Sequence, residues 1–206
     1  MNKAVVRIIN QCCVASLLGW LVLTSCRNEQ NLPGEPPPPQ LPELFADGHY
    51  NAMVETPVGS NYEFTYDPAS NVIDTLRPEA GPTDYLPFPA NFGFFPLLKN
   101  DSLVKIPVWI LGIKQPGGTA VAVKLLGLID YTDRGNLQRQ WLAIPRNPEL
   151  QTIATSSFRD FIIRYDPVKF MFEYWLKNRH GIGSVSQIIW HDEEQALHYL
   201  EESVNK

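Results

Sequence analysis

Val54-Glu55-Thr56-Pro57-Val58-Gly59-Ser60-Asn61-Tyr62-Glu63-Phe64-Thr65-Tyr66-Asp67 carries the pattern that governs the first two-thirds of the chain. A turn punctuated by Pro57 and Gly59 leads into a short run, Tyr62 to Tyr66, built from aromatic and β-branched residues. Similar runs span Leu103 to Ile113, Thr119 to Ile129 and Gln140 to Ile144. Such side chains suit a half-buried pleated surface, so these stretches predict strands. Beyond Pro148 the apolar spacing becomes helical, with Phe158, Phe161, Ile162 and Tyr165 at i, i+3, i+4 and i+7. Asp166-Pro167 breaks that run and opens a second helix, with Asp166 as N-cap, Pro167 at N1, Met171, Tyr174 and Trp175 as the apolar stripe, and His180-Gly181 as its end. A third helix follows Trp190, where Asp192 and Gln195 have capping-box spacing and Ala196, Leu197 and Leu200 supply the buried face. Strands followed by segregated helices predict an α+β domain, most simply a small barrel with helices packed outside it.

Composition agrees with one globular domain behind a leader. Of 206 residues, 44% are hydrophobic and 19% charged, which excludes a disordered or collagen-like chain. The 18 prolines, 13 glycines and a mean hydropathy of −0.16 favour turn-rich β structure and exclude a polytopic membrane protein. The net charge of −5 lacks the basic excess of a nucleic-acid binder, so no nucleic-acid partner is expected.

Residues 1–25 predict an export signal: basic Lys3 and Arg7, an apolar run from Ile8 to Val22, then Leu23-Thr24-Ser25 before Cys26. Leu23 to Cys26 resembles the bacterial lipobox, which implies cleavage before Cys26, an N-terminal lipid on Cys26 and attachment to a membrane of the bacterial cell envelope outside the cytoplasm. An uncleaved anchor is the alternative, but the apolar run is short of the ~20 residues a spanning helix needs. No cysteine follows Cys26, which excludes an intrachain disulfide in the mature domain. Removing Lys3 and Arg7 from a chain at −5 leaves −7, so anchoring falls to the acyl chains, at ~0.8 kcal/mol per buried methylene. Residues 26–42 comprise the lipidated cysteine and a Pro-rich tether holding Pro33, Pro36, Pro37, Pro38, Pro39 and Pro42, a semi-extended spacer of ~3 Å per residue. Residues 43–206 form the folded domain.

Three segments, in order, resemble the soluble family I inorganic pyrophosphatases. Val54 to Asp67 is similar to V-E-I-P-K-G-S-x-x-K-Y-E-Y-D, Phe88-Pro89-Ala90-Asn91-Phe92-Gly93-Phe94-Phe95-Pro96 to Y-P-x-N-Y-G-F-I-P, and Asp133 to Pro145 to D-x-G-E-x-D-x-K-x-x-A-V-P. Phe172 to Leu176 sits where that family has F-E-x-Y-K, and Trp190 matches the tryptophan before its last helix. The resemblance implies a five-stranded OB-like β-barrel with flanking C-terminal helices. It also implies Mg²⁺-dependent hydrolysis of diphosphate, in which divalent metals neutralise a polyanion and generate hydroxide, and Lys, Arg and Tyr hold the leaving phosphate.

Residue by residue, the resemblance implies that Glu55, Arg77 and Asp133 are the retained site positions, with Glu55 and Asp133 as the remaining metal carboxylates. Elsewhere the polar groups are gone. The lysine and glutamate of K-Y-E-Y become Glu63 and Thr65, both tyrosines of Y-P-x-N-Y-G become Phe88 and Phe92, and D-G-D-P-x-D falls on Ser102 to Pro107. The D-x-K pair becomes Gln138 and Gln140, and the final Y-K becomes Trp175-Leu176. Phe for Tyr and Trp for Tyr keep bulk and delete the hydroxyl. A Mg²⁺ ion held by two carboxylates is weak or absent, unless Asp101 slips into a ligand position. Bland roles stand beside each retained residue: a turn for Asp133 in Asp-Arg-Gly, solvent exposure for Arg77, a structural hydrogen bond for Glu55. His191, Glu194 and His198 fall at i, i+3 and i+7, a metal face if one helix holds all three. Phe158, Phe161, Phe170, Phe172, Tyr174 and Trp175 are expected in the core.

The leading expectation is a lipid-anchored, pyrophosphatase-like protein whose degenerate site makes it a binding or interaction module for a protein partner. Two alternatives stand beside it: a working or residual Mg²⁺-dependent diphosphatase, and a small-ligand pocket at an apolar barrel mouth lined by Phe88, Phe92, Val104, Pro107 and Trp175.

Overall fold

The structure, a computed structural model, describes residues 39–76, 86–181 and 183–205. Cys26, the expected export signal, most of the expected tether and Arg77 lie outside the described residues. Among the described residues, nine strands and three α-helices follow in the order β1 (Phe45–Ala46), β2 (His49–Thr56), β3 (Glu63–Asp67), β4 (Val72–Leu76), β5 (Asn91–Lys99), β6 (Ser102–Ile110), β7 (Ala120–Asp133), β8 (Asn136–Pro145), α1 (Phe158–Arg164), α2 (Asp166–Arg179), β9 (Val185–His191) and α3 (Glu193–Asn205). One sheet runs β1-β2-β5-β6-β8-β7-β9, and a further β2–β7 pairing closes β2, β5, β6, β8 and β7 into a five-stranded barrel. All barrel pairs are antiparallel except β6–β8. Strands β3 and β4 form a separate hairpin.

Strand alternation sorts the apolar residues onto two faces. Ala52, Val54, Phe95, Leu97, Ile106, Val108, Val123 and Ala143 fill the barrel, and α3 covers it with Ala196 and Leu200. Trp141 Nε1 locks that cover by donating to the Ala196 carbonyl at 2.9 Å. The opposite parity on β6, β7 and β8 presents Trp109, Ile129, Tyr131 and Leu142 to Phe161 of α1 and to Phe172, Trp175 and Leu176 of α2. Each fully buried Leu, Ile or Phe contributes ~1.5–3 kcal/mol, so both faces are needed to hold the helices down. Leu41 and the β3–β4 hairpin pack on a third, smaller cluster around Met53 and Phe94. Closure of the barrel depends on Gly93, where a Cβ would lie 1.9 Å from the Met53 carbonyl oxygen.

Several local expectations change. Strand β9 runs between α2 and α3, so the C-terminal third is not purely helical; it pairs with the long outer half of β7. The N-cap of α2 is Tyr165, and Asp166 is the first helical residue without a side-chain cap bond. The buried stripe of α2 is Phe172, Trp175 and Leu176, whereas Met171 and Tyr174 point outward with Phe170. At 100° per residue positions 172, 175 and 176 share one face and 170 and 174 the other, so aromatic identity alone misassigned them. Asp192 does cap α3, accepting the Gln195 N–H at 3.0 Å, but the Gln195 side chain turns to His191 Nδ1 at 2.8 Å instead of completing the box.

Candidate functional site

The register between β2 and β5 shifts between Val54 and Thr56, placing Glu55 at a bulge that aims its side chain at the β3–β4 hairpin. Only 6% of Glu55 is exposed. Its Oε1 accepts from the Tyr66 N–H at 2.7 Å, from Thr65 Oγ1 at 3.2 Å and from Lys105 Nζ at 2.7 Å. Lys105 also donates to Thr65 Oγ1 at 2.9 Å and to the Tyr66 carbonyl, and its ammonium lies 5.1 Å from the Phe94 ring centroid. Each Lys105 proton therefore has an acceptor, and the carboxylate–ammonium pair pins β2, β3 and β6 together.

Beside this pair, the outer face of three neighbouring strands carries a buried polar chain. Trp109 Nε1 donates to Gln140 Oε1 at 2.7 Å, and Gln140 Nε2 donates to the Tyr131 hydroxyl at 2.9 Å. Burial pushes the Tyr131 phenol up to about 12; the Arg179 guanidinium opposes that rise, while the charges of Asp133 and Glu63 add to it. Asp133, two residues on, meets His180 Nδ1 through Oδ2 at 3.0 Å, and its Oδ1 is buried with no hydrogen-bond partner among the described residues. Arg179, at the end of α2, is ion-paired with Glu63.

Aromatic rings fill the space between these groups. Phe92 and Trp109 lie 4.6 Å apart between centroids, Phe88 and Trp175 5.1 Å, and Trp109 and Trp175 5.2 Å. Arg179 covers the assembly, 4.7 Å from the Trp175 ring and 5.1 Å from Phe88. Asn91 holds the adjoining loops, accepting the Val58 and Gln115 N–H groups through Oδ1 and donating to the Ile113 carbonyl at 2.9 Å. The site is thus a cluster of charged pairs and rings on the outer face of the barrel beneath α2.

A sequence profile of the inorganic pyrophosphatase family matches residues 52–206. The chain belongs to the inorganic pyrophosphatase family. It is 27% identical over 157 residues to the inorganic pyrophosphatase of Saccharolobus solfataricus, covering 71% of this chain and 89% of that one. Its fold is similar to that of an inorganic pyrophosphatase from Neisseria gonorrhoeae, at TM-score 0.63 and 20% identity over 81% of this chain and 96% of that one. The Thermus thermophilus enzyme gives TM-score 0.60 and 19% identity over 82% and 97%. The five-stranded barrel with flanking C-terminal helices is the pyrophosphatase fold.

Pyrophosphatases generally require Mg²⁺, which takes a near-octahedral set of oxygens. The donors here do not compose such a set. Glu55 is neutralised by Lys105, Glu63 by Arg179, and Asp133 faces His180. Among the described residues no three His, Cys, Asp or Glu side chains group closely enough to share an ion. Asp101 lies in the exposed two-residue turn Asn100-Asp101, both at positive φ, joining β5 to β6. His191 ends β9 instead of starting α3, so it does not share a helical face with Glu194 and His198; its Nε2 is 3.3 Å from Asp130, which Arg139 already holds at 2.9 and 2.8 Å. The expected apolar mouth is also divided: Val104 shares the inward parity of Ile106 and is exposed at the strand's end, while Phe88, Phe92 and Trp175 pack on one another outside the barrel. Lys105, Tyr131, Arg179 and His180 join the site without having been singled out from sequence. His180 was read only as the end of a helix, and Lys105 interrupts an otherwise apolar strand.

Proposed function

We propose that this pyrophosphatase-family protein is exported, lipid-anchored through Cys26 to a membrane of the bacterial cell envelope, and serves as a binding or interaction module for a protein partner with little or no diphosphate hydrolysis. The Lys105 ammonium, 2.7 Å from Glu55, carries this reading. A divalent cation ~4 Å from that ammonium meets a repulsion of roughly 8 kcal/mol at an effective dielectric near 20, twice the unit-charge figure. Mg²⁺ binding at Glu55 is therefore weak or absent. Glu63 stands where the family motif carries a lysine and ties up Arg179 in an ion pair, which leaves neither as a free cation for a diphosphate anion. The leader and the Pro-rich tether support export and anchoring. Among the described residues no helix is long and apolar enough to cross a membrane.

A residual Mg²⁺-dependent diphosphatase is the second reading, and one observation favours it: Asp133 Oδ1 is buried with no hydrogen-bond partner among the described residues. Thermal unfolding with Mg²⁺ and diphosphate, together and separately, distinguishes the two. Anything that binds the native state raises its midpoint, so the leading reading predicts an unchanged midpoint. A rise of several degrees that needs both additions, and that Asp133→Asn removes, would favour the second.

A further inference from the structure

We propose that Pro39 to Leu44 form an inhibitory strap that holds the β3–β4 hairpin shut over the Glu55–Lys105 pair and so sets access to the Glu55 carboxylate; this rests on the reading above that the pair keeps a divalent cation out. The strap is fastened at three points. At its end, the Leu44 carbonyl accepts the Asn51 N–H at 2.9 Å, the Glu43 carbonyl accepts from Asn51 Nδ2 at 3.0 Å, and the Leu44 side chain packs on the barrel interior. In the middle, Leu41 packs on the cluster of Met53, Tyr66 and Phe94 that Ile73 of β4 also joins. At its start, Pro39 lies on Gly118, where an added Cβ would come within 3.0 Å of the proline ring and 3.8 Å of Ile73. The Gly118 N–H donates to the Val54 carbonyl at 2.8 Å, so Pro39 is seated on the turn that borders Glu55.

The hairpin needs such a strap. Among the described residues no strand ladder joins it to the barrel. Its polar links run through side chains: Thr56 Oγ1 accepts the Phe64 N–H at 2.9 Å and donates to the Phe64 carbonyl at 3.2 Å, while Glu55 and Lys105 bond Thr65 and Tyr66. Tyr66 and Ile73 anchor it in the apolar cluster that Leu41 shares, whereas Val72 and Leu76 face solvent. A two-stranded flap with few buried apolar contacts opens locally, well below the cost of global unfolding. Two of the three donors to Glu55 and two of the three acceptors of Lys105 lie on β3. Opening the hairpin therefore strips the pair of all but its mutual contact and uncovers Glu55 as an oxygen ligand for a divalent cation.

Two amides report the hairpin contacts directly, the Phe64 N–H on Thr56 and the Tyr66 N–H on Glu55. Hydrogen exchange of the full chain is compared with that of Leu41→Ala, and of Pro39→Ser as the milder change. The strap predicts that Phe64 and Tyr66 exchange faster by about tenfold or more in Leu41→Ala, with the Phe94 and Phe95 amides of β5 unchanged. In parallel, a carbodiimide with glycine ethyl ester labels accessible carboxyl groups. Glu55 should label several-fold faster in Leu41→Ala, and the exposed Glu149 alike in both chains. Unchanged exchange and labelling overturn the strap. Exchange raised equally in β3 and β5 also overturns it, since Leu41 then supports the whole fold; should Leu41→Ala fail to fold, Pro39→Ser decides by the same two readings. Neither readout uses Mg²⁺ or diphosphate, so a negative result overturns the strap alone, whereas a midpoint raised by Mg²⁺ and diphosphate in the unsubstituted chain overturns the ion-pair reading beneath it.

Discussion

At Glu55 the carboxylate's neighbours are a backbone N–H, a hydroxyl and an ammonium, so its charge is balanced before any ligand arrives. Removing one partner of a buried pair costs more than the pair contributes, because the remaining charge stays desolvated. Lys105→Met should therefore destabilise the fold by about 3 kcal/mol in urea unfolding, whereas an exposed pair would lose under about 1 kcal/mol. Tyr131 gives a second prediction, on the alkaline side. Its phenol ionises near 12 when folded and near 10 when unfolded, so the folded state retains a proton that the unfolded state loses. That stability is present below about pH 10 and is lost as pH rises through about 12, amounting to roughly 2–3 kcal/mol at about 1.4 kcal/mol per unit. Unfolding midpoints measured across this range should fall, and Tyr131→Phe should flatten the slope. At this scale the motifs pointed to Glu55 and Asp133 by position alone. Their partners Lys105 and His180 were not, because they come from strands and helices distant in sequence.

Among the elements, local pattern suffices for β6, β7 and β8 and fails for β5 and α2. The runs at Leu103, Thr119 and Gln140 announced β6, β7 and β8, although β7 and β8 extend further, through the Asp133–Asn136 register pair into a long hairpin. The close crossing of β2 over β5 left no periodic signal, yet it rests on one residue. In Gly93→Ala the new Cβ would meet backbone, which no rotamer relieves, so a loss above about 4 kcal/mol or failure to fold is expected. In α2, the alternation of aromatic residues on both faces defeated assignment by residue type; only packing against Trp109 and Ile129 selects Phe172, Trp175 and Leu176. Glu173 then joins α2 to β9, accepting from Lys169 at 2.7 Å and Trp190 Nε1 at 3.0 Å. Partial burial opposes its ionisation, but the Lys169 and Trp190 hydrogen bonds and the charges of Lys169 and Lys177 outweigh it and hold the carboxyl below its ordinary value of 4.5. The stabilisation is present above that value and lost as pH falls through the lower folded one. Glu173→Gln should remove this part of the acid-side slope in urea unfolding, at a cost near 1 kcal/mol at neutral pH.

For the molecule as a whole, the barrel interior, the α3 cover and the helix-clad outer face need only bulk and parity, which survive the replacement of Tyr by Phe or Trp. Hydrolysis needs oxygen ligands at fixed places, which those replacements do not supply. That difference is why the family fold was legible from order and spacing of three motifs, while Lys105 and Arg179, the partners of Glu55 and Glu63, lie outside those motifs. Little or no diphosphate hydrolysis is proposed for this pyrophosphatase barrel, and phosphate release measures it. The purified full chain is assayed with diphosphate in the presence and absence of Mg²⁺, beside Glu55→Ala and Asp133→Ala prepared identically. The same background release is expected from all three, unchanged by Mg²⁺. Mg²⁺-dependent turnover in the unsubstituted chain, abolished by both substitutions, would contradict it.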